Sequence, residues 1–215
     1  MTHTYAAIGS TYAGDVSGAL GHAAAIMAIA ESISDPRVST YGLMTRASVL
    51  APGGRHDEAL ESVNAALQLA PEPSSRAYAS AALGYVYLEM GEAAHSAALL
   101  ERAVTTFEAF QLRPWVGLYG GYLADARRLI GNLAGARTAA DHALRVATSC
   151  GHPFSLGWSI RSLGRVATAE GETNVARGHL EKARGIFSAM GAALELERTV
   201  RELNSLKDVG HRGAR

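Results

Sequence analysis

Three arginines are the residues of this sequence best suited to bind a charged ligand. Arg161 and Arg165 are four residues apart, so they project from the same side of one predicted helix. Together with Arg128 they offer planar guanidinium groups, which form paired hydrogen bonds with a carboxylate or a phosphate. The alternative is a solvent-exposed arginine face, partly neutralised by Asp125 and Glu89. Both interpretations are open at the level of sequence.

Residues that could support catalysis are few. Cys150 and His152 flank Gly151 in a predicted loop, and a thiol beside an imidazole can act as a nucleophile. Spacing suggests no third residue to orient them, and a structural cysteine is much commoner. The eight histidines do not form an HExxH motif or another ligand pattern. We therefore expect no catalytic residue, no metal site and no cofactor.

A repeat of 40 residues determines the elements that position these side chains. Gly91, Gly131 and Gly171 are separated by 40 residues each. Flanking residues keep the same spacing, with leucine before each glycine and alanine after it: Leu83, Leu123, Leu163, Ala103, Ala143 and Ala183. Regular spacing of this kind predicts helical hairpins stacked in an array.

The predicted units follow from prolines and turn glycines. Five hairpins are expected over 2–35, 37–71, 73–112, 114–151 and 153–190, followed by an amphipathic helix over 192–207. In that last helix Leu196, Val200 and Leu203 are expected to face the core, and Glu195 and Glu202 to face solvent. We expect residues 1–207 to form a single domain and 208–215 a flexible tail.

Composition limits the class of protein. The 215 residues carry a formal net charge of +0, which argues against a general nucleic-acid binder. A single cysteine forms no internal disulfide. The first residues lack the pattern of a secretory signal, and the uncharged stretch from Val16 to Ala30 is too short to span a bilayer. We expect a cytoplasmic protein that binds neither nucleic acid nor membrane.

The repeat resembles a known family. Leu83-Gly84, Tyr87, Gly91 and Ala103 resemble the tetratricopeptide repeat (TPR), and 123–143 and 163–183 resemble it again with a longer period. Residues 176–183 and 187–192 are similar to the C-terminal arrays of bacterial ATP-dependent transcriptional activators of the maltose-activator type. Similar arrays follow the ATPase of some nucleotide cyclases. The resemblance implies an all-α, right-handed superhelical solenoid of about five TPR-like hairpins plus a C-terminal capping helix.

The resemblance also implies where function lies. TPR groove positions are on the first helix of each hairpin, and carried over to this chain they are Tyr41, Met44, Tyr78, Tyr85, Glu89, Leu118, Asp125, Arg128, Trp158, Arg161 and Arg165. The implied function is a non-catalytic regulatory or sensor scaffold that binds a protein, a peptide or a small anionic effector. The alternative for the aromatic residues is that they fill the core between repeats.

Two further expectations concern activity and assembly. The alternative function is an enzyme that uses the groove as a pocket for an anionic substrate, with a tyrosine, Asp125 or Glu89 acting beside Arg128 and Arg161. The first hairpin begins without a polar capping helix, so we expect its apolar outer face to be covered either by a second copy, in a homodimer, or by an upstream domain missing from this sequence.

Overall fold

The computed structural model describes the backbone of residues 2–212 and the side chains of residues 6 and 9–206. Within this part the chain is all helical, with eleven α-helices, one 3₁₀ turn and no strand. The helices are α1 (Thr2–Ala13), α2 (Val16–Ile33), α3 (Pro36–Leu50), α4 (His56–Leu69), α5 (Pro73–Glu89), α6 (Ala93–Ala109), α7 (Arg113–Leu129), α8 (Leu133–Cys150), α9 (Pro153–Ala169), α10 (Thr173–Ala189) and α11 (Ala193–Arg212).

These helices form the predicted hairpins. The pairs α1–α2 to α9–α10 make five hairpins and α11 follows them, so the all-α hairpin array is confirmed. The array divides into two compact units, Met1–Gln111 and Leu112–Arg215. The division into one domain of 1–207 and a flexible tail stays a prediction. The backbone of α11 is helical to Arg212, and residues 213–215 lie outside the described part.

The 40-residue period is visible in the backbone of the turns. Gly91, Gly131 and Gly171 have φ angles of +83°, +82° and +81°, the left-handed region that glycine enters at little cost. A second set lies at joints between hairpins, where Gly151 and Gly191 have φ of +61° and +66°. Gly91, Gly131 and Gly171 therefore follow the first helix of each hairpin, and Gly151 and Gly191 follow the second.

Small residues allow the two helices of a hairpin to approach closely. A Cβ added at Gly84 would lie 2.8 Å from Leu100 Cγ, and one added at Gly164 would lie 2.9 Å from Leu180 Cγ. The two glycines occupy equivalent positions in the repeat, as do the two leucines. The fourth hairpin has Ala124 and Ala140 at those positions, both fully buried. The glycine–leucine pair of the third and fifth hairpins is thus replaced in the fourth by two alanines, each larger than glycine and smaller than leucine.

The first helices α7 and α9 pack through small polar residues. Ser159 Oγ lies 3.4 Å from the Gly117 carbonyl oxygen, and Ser162 Oγ donates to the Gly121 carbonyl at 3.1 Å. Gly121 also makes room for Trp158, since an added Cβ would lie 2.8 Å from the indole Cδ1. This packing fixes the side of α9 on which Trp158, and the arginines after it, are held.

The burial of α11 differs from the sequence expectation. Glu195 and Thr199 are 3 % and 0 % exposed, whereas Val200 is 37 % exposed. Leu203 and Leu206 join Ala167, Ala176 and Leu180 in an apolar cluster. The expectation that Glu195 faces solvent and Val200 the core is therefore wrong. The helix is rotated so that its glutamates meet charged residues of the preceding hairpin.

The second helix is the most apolar one. By length and composition α2 is able to cross a membrane, with a mean hydropathy of 1.4 over 18 residues, which is weak evidence for a span. In the structure it packs against α1 and α3 and buries Ala19, Ala23, Ile26 and Ala30. Its Val16, Ile29 and Ile33 are exposed. A homodimer through this hairpin stays a prediction.

Candidate functional site

Two predicted groove residues of the first unit, Tyr41 and Tyr78, belong to an aromatic cluster with Phe107. The rings of Tyr41 on α3 and Tyr78 on α5 have centroids 5.6 Å apart, and Tyr78 lies 5.0 Å from Phe107 on α6. Burial, with a smaller contribution from the Glu72 carboxylate, raises the pKa of Tyr41. The structure thus brings Tyr41 and Tyr78 together as packing residues.

Most of the predicted groove residues are covered. Seven of the eleven are at most 8 % exposed: Met44, Tyr78, Tyr85, Leu118, Asp125, Trp158 and Arg161. Tyr41, Glu89, Arg128 and Arg165 keep partial exposure. The burial agrees with the core-filling alternative for the aromatic residues. A ligand-binding role for the eleven stays a prediction.

In the second unit the charged members of the set form one ion-pair network. Arg165 on α9 donates from Nη1 to Asp125 Oδ2 on α7. Asp125 is 1 % exposed, and its second oxygen lies 3.8 Å from Arg128 Nε. Aspartate and arginine occupy equivalent positions one repeat apart, so the pair links two neighbouring first helices.

The network continues into α11 through Glu202. Its Oε1 accepts from Arg165 Nη2 at 2.6 Å and from Arg165 Nε at 3.0 Å. The same carboxylate accepts from Arg161 Nε, at 3.2 Å to Oε1. One carboxylate therefore joins both arginines, mainly through a single oxygen, and charge-assisted hydrogen bonds of this kind are stronger than neutral ones.

Glu195 provides the second carboxylate of α11. It accepts from Arg161 Nη1, and its other oxygen lies 3.5 Å from Arg198 Nη1 on the same helix. Glu195 and Glu202 are seven residues apart, about two helical turns, so both lie on one side of α11. Arg161 is 1 % exposed, so the alternative interpretation of a solvent-exposed arginine face does not hold for this residue.

Trp158 supports both guanidinium groups. Arg161 Cζ lies 5.0 Å from the indole centroid and Arg165 Cζ lies 5.9 Å from it. Tyr122 meets the indole edge to face at 4.5 Å, and Phe154 lies 5.8 Å away. Stacking on the ring restricts where the arginines can lie, and cation–π attraction stabilises them further.

Burial and charge compete in the network. Burial lowers the pKa of Arg161, the like charge of Arg165 lowers it further, and the carboxylates of Glu195 and Glu202 oppose both effects. Burial opposes the ionised form of Glu202, but Arg165 and Arg161 outweigh it and lower the pKa of that carboxyl. For Arg165, burial is likewise outweighed by Asp125 and Glu202, which raise its pKa. The network thus holds the two carboxylates of α11 through buried and half-buried guanidinium groups.

The enzyme alternative gains nothing from this geometry. Asp125 and Arg161, two of its proposed participants, are held in ion pairs. One open depression in the first unit is lined by Ile33–Arg37, Pro71 and Glu72, and none of these is a predicted site residue. Arg37 Nη2 binds Asp35 there at 2.8 Å.

Cys150 and His152 have separate roles. His152 is the N-cap of α9, where its Nδ1 accepts the backbone N–H of Ser155 at 3.3 Å. Burial lowers the pKa of His152. Cys150 Sγ lies 4.0 Å from Ser149 Oγ. Nδ1 of His152 thus serves as a helix cap.

Sequence reasoning missed Glu195 and Glu202 as site residues. The signal that identifies them is the 40-residue period: Glu195, Thr199 and Glu202 lie 40 residues after Ser155, Ser159 and Ser162. Those serines are buried where α9 hydrogen-bonds to α7 carbonyl groups. The equivalent positions of α11 therefore face α9.

Comparison with solved structures finds the same architecture. A putative kinesin light chain of Podosopora anserina with nearly identical TPR-like repeats has a TM-score of 0.55 at 21 % identity, over 86 % of this chain and 93 % of that one. A Rap protein complexed with Competence and Sporulation Factor has a TM-score of 0.63 at 16 % identity, over 93 % and 61 %. BtubC from P. vanneervenii has a TM-score of 0.59 at 14 % identity, over 93 % and 91 %.

No protein-family model matches the sequence, and comparison with curated proteins gives no match. At these identities the likeness establishes the fold alone. The fold is a TPR-like helical repeat of the α-solenoid class.

Proposed function

We propose that this chain is a non-catalytic binding scaffold that recognises a segment of a partner protein with the first helices of its hairpins. The observation that carries the proposal is the row of charged residues on α7 and α9. In this row Arg161 and Arg165 hold Glu195 and Glu202 of another helix, and Asp125 and Arg128 lie beside them. Side chains arranged in this way are suited to binding another polypeptide.

The comparisons support a binding role by analogy. One of the similar structures is a Rap protein in complex with Competence and Sporulation Factor. Solenoids in general use an extended face for recognition. Within this proposal the chain acts as a regulatory or sensor module of a bacterial signalling or transcription system, as its resemblance to the maltose-activator arrays implies. A small anionic effector is the second candidate ligand, since arginine pairs also bind phosphate.

The proposal is tested with peptides selected against the full chain from a displayed random library. Their affinities are then measured by fluorescence anisotropy on a triple alanine variant at partly exposed first-helix positions, Tyr41, Glu89 and Arg128. The matched control is a triple alanine variant at exposed second-helix positions, Glu61, Arg102 and Arg145.

We expect the first-helix variant to bind the selected peptides about tenfold more weakly, and the control to bind within about twofold of the wild type. Equal losses in the two variants would contradict the proposal, as would a failure to select any peptide.

A further inference from the structure

The interaction of α11 with α9 is dominated by charge. Glu195 and Glu202 pair with Arg161 and Arg165, and all four side chains are buried or half-buried. The apolar contact is mainly with α10, where Leu203 and Leu206 of α11 join Ala176 and Leu180, and Ala167 is the α9 member of this cluster. The opposite side of the helix is exposed, as at Glu197 and Arg201. One face alone therefore holds α11.

The surface beneath α11 requires two carboxylates. Asp125, Arg128, Arg161 and Arg165 carry one negative and three positive charges, a net charge of +2. Glu195 and Glu202 of α11 bring two negative charges to it, and Arg198, 3.5 Å from Glu195, brings one positive charge. A buried arginine without a partner is strongly unfavourable, so α11 can leave this surface only if other carboxylates replace its own.

The hydrogen-bonding capacity of the surface is not fully used by α11. Trp158 is 2 % exposed, and its Nε1 has no hydrogen-bond partner among the described residues. Arg128 Nε is also buried, and its ion-pair partner Asp125 Oδ1 lies 3.8 Å away, too far for a hydrogen bond. An acceptor that reached either donor would add a hydrogen bond that α11 does not make.

We propose that the surface of Asp125, Arg128, Trp158, Arg161 and Arg165 is a binding site for an acidic helix of a partner protein. In the unbound chain α11 occupies it as an internal mimic of that helix. The inference rests on the proposed scaffold function and specifies its partner. The partner helix carries two carboxylates seven residues apart, the spacing of Glu195 and Glu202. It has apolar residues one and four positions after the second carboxylate, as at Leu203 and Leu206.

The test uses the full chain with Trp115→Phe, which leaves Trp158 as its single tryptophan. The probe is a synthetic peptide with the sequence of residues 192–206, and its control is the same peptide with Glu195→Gln and Glu202→Gln. In the chain itself, Glu195→Gln/Glu202→Gln weakens the internal helix. Glu197→Gln is the matched control, because Glu197 is 68 % exposed and lies 3.7 Å from Arg201 on the outer side of α11.

We expect the acidic peptide to bind the Glu195→Gln/Glu202→Gln chain about tenfold more tightly than the wild-type or Glu197→Gln chain, with a change in Trp158 emission. The glutamine peptide should bind about tenfold more weakly than the acidic one. Equal affinities for the two peptides, or no difference between the chains, would overturn the proposal. If circular dichroism finds the double variant unfolded, Glu202→Gln alone must meet the same criteria.

The outcomes separate the two proposals. If library-selected peptides bind through the first helices but the acidic peptide does not, the inference about α11 fails and the scaffold function stands. If neither kind of peptide binds, both fail.

Discussion

Glu202 on α11 and Arg165 on α9 form a paired interaction, with Glu202 Oε1 2.6 Å from Nη2 and 3.0 Å from Nε of the arginine. Arg165 also binds Asp125 on α7, so these two residues connect three helices of the second unit. Single removal of a charge from such a network leaves its partner buried and unpaired.

The first prediction concerns Glu202→Gln. We expect the free energy of unfolding at neutral pH to fall by about 3 kcal/mol, because Arg161 remains buried with one carboxylate fewer. The control Glu197→Gln should change it by less than about 0.5 kcal/mol. Urea unfolding followed by circular dichroism measures both values. Equal effects of the two variants would mean that the network does not stabilise α11.

The pH dependence of the same network follows from the lowered pKa of Glu202. A carboxyl with a folded pKa below its ordinary value of 4.5 stabilises the fold above that value, and the contribution is lost as the pH falls through the folded pKa. Wild-type stability should therefore fall on acidification below about pH 4.5, and less steeply in Glu202→Gln. Parallel acid profiles would contradict this.

His152 provides a second, separate pH effect. Burial lowers its pKa below 6.5, so the unfolded chain is protonated first as the pH falls, and stability decreases from about pH 6.5 downward. His152→Asn keeps an N-cap acceptor without a titrating group, so it should lose this part of the dependence. His152→Ala should cost about 1 kcal/mol at pH 8. Thermal unfolding between pH 5 and pH 8 measures the effect, and an unchanged profile in His152→Asn would contradict it.

The close approach of Gly164 and Leu180 predicts a compensating pair of substitutions. Gly164→Ala should lower stability by about 1 kcal/mol, since crowding against Leu180 Cγ outweighs the gain in helix propensity. Leu180→Ala should cost about 3 kcal/mol by leaving a cavity. The double variant has the same residues as Ala124 and Ala140 of the fourth hairpin. Its loss of stability should be about 1 kcal/mol smaller than the sum of the two single losses.

The control for that pair is Gly178→Ala, on the same helix as Leu180. No atom lies within 4 Å of an added Cβ there, so the substitution should raise stability by up to about 1 kcal/mol. Additive losses in the double variant would contradict the close-approach account.

Gln111 predicts a stabilising substitution. Its φ is +56°, and it lies 40 residues before Gly151 and 80 before Gly191, which adopt the same conformation. Gln111→Gly should therefore raise stability by about 1 kcal/mol, and Gln111→Ala should not. Gly151→Ala should lower it by about 1 kcal/mol. A loss of stability in Gln111→Gly, measured by urea unfolding, would contradict the argument.

The fold was predictable from sequence because its turns depend on residue type. A positive φ at Gly91, Gly131 and Gly171 is easily adopted only by glycine, so the repeat period is preserved in the spacing of these residues. Proline at the start of α5 and α9 marks the boundaries between hairpins in the same direct way.

The site was predictable only in part. The spacing of Arg161 and Arg165 placed them on one side of α9, and they do act as a pair. Asp125, expected to neutralise the arginines in part, pairs with Arg165. The partners on α11 were missed because hydrophobic patterning assigns every charge to solvent, whereas Glu195 is buried beside an opposite charge. Groove positions carried over from a repeat indicate which side of a helix a residue lies on. They do not indicate whether neighbouring side chains cover that side, as they do at Trp158.

Hydrogen–deuterium exchange of the wild-type chain tests the central claim most directly. It is measured with and without a saturating concentration of the acidic peptide. If α11 holds the place of a partner helix, its backbone amides should exchange about tenfold faster with peptide bound, while those of α7 and α9 stay protected. Unchanged protection of α11 at saturation would contradict the account.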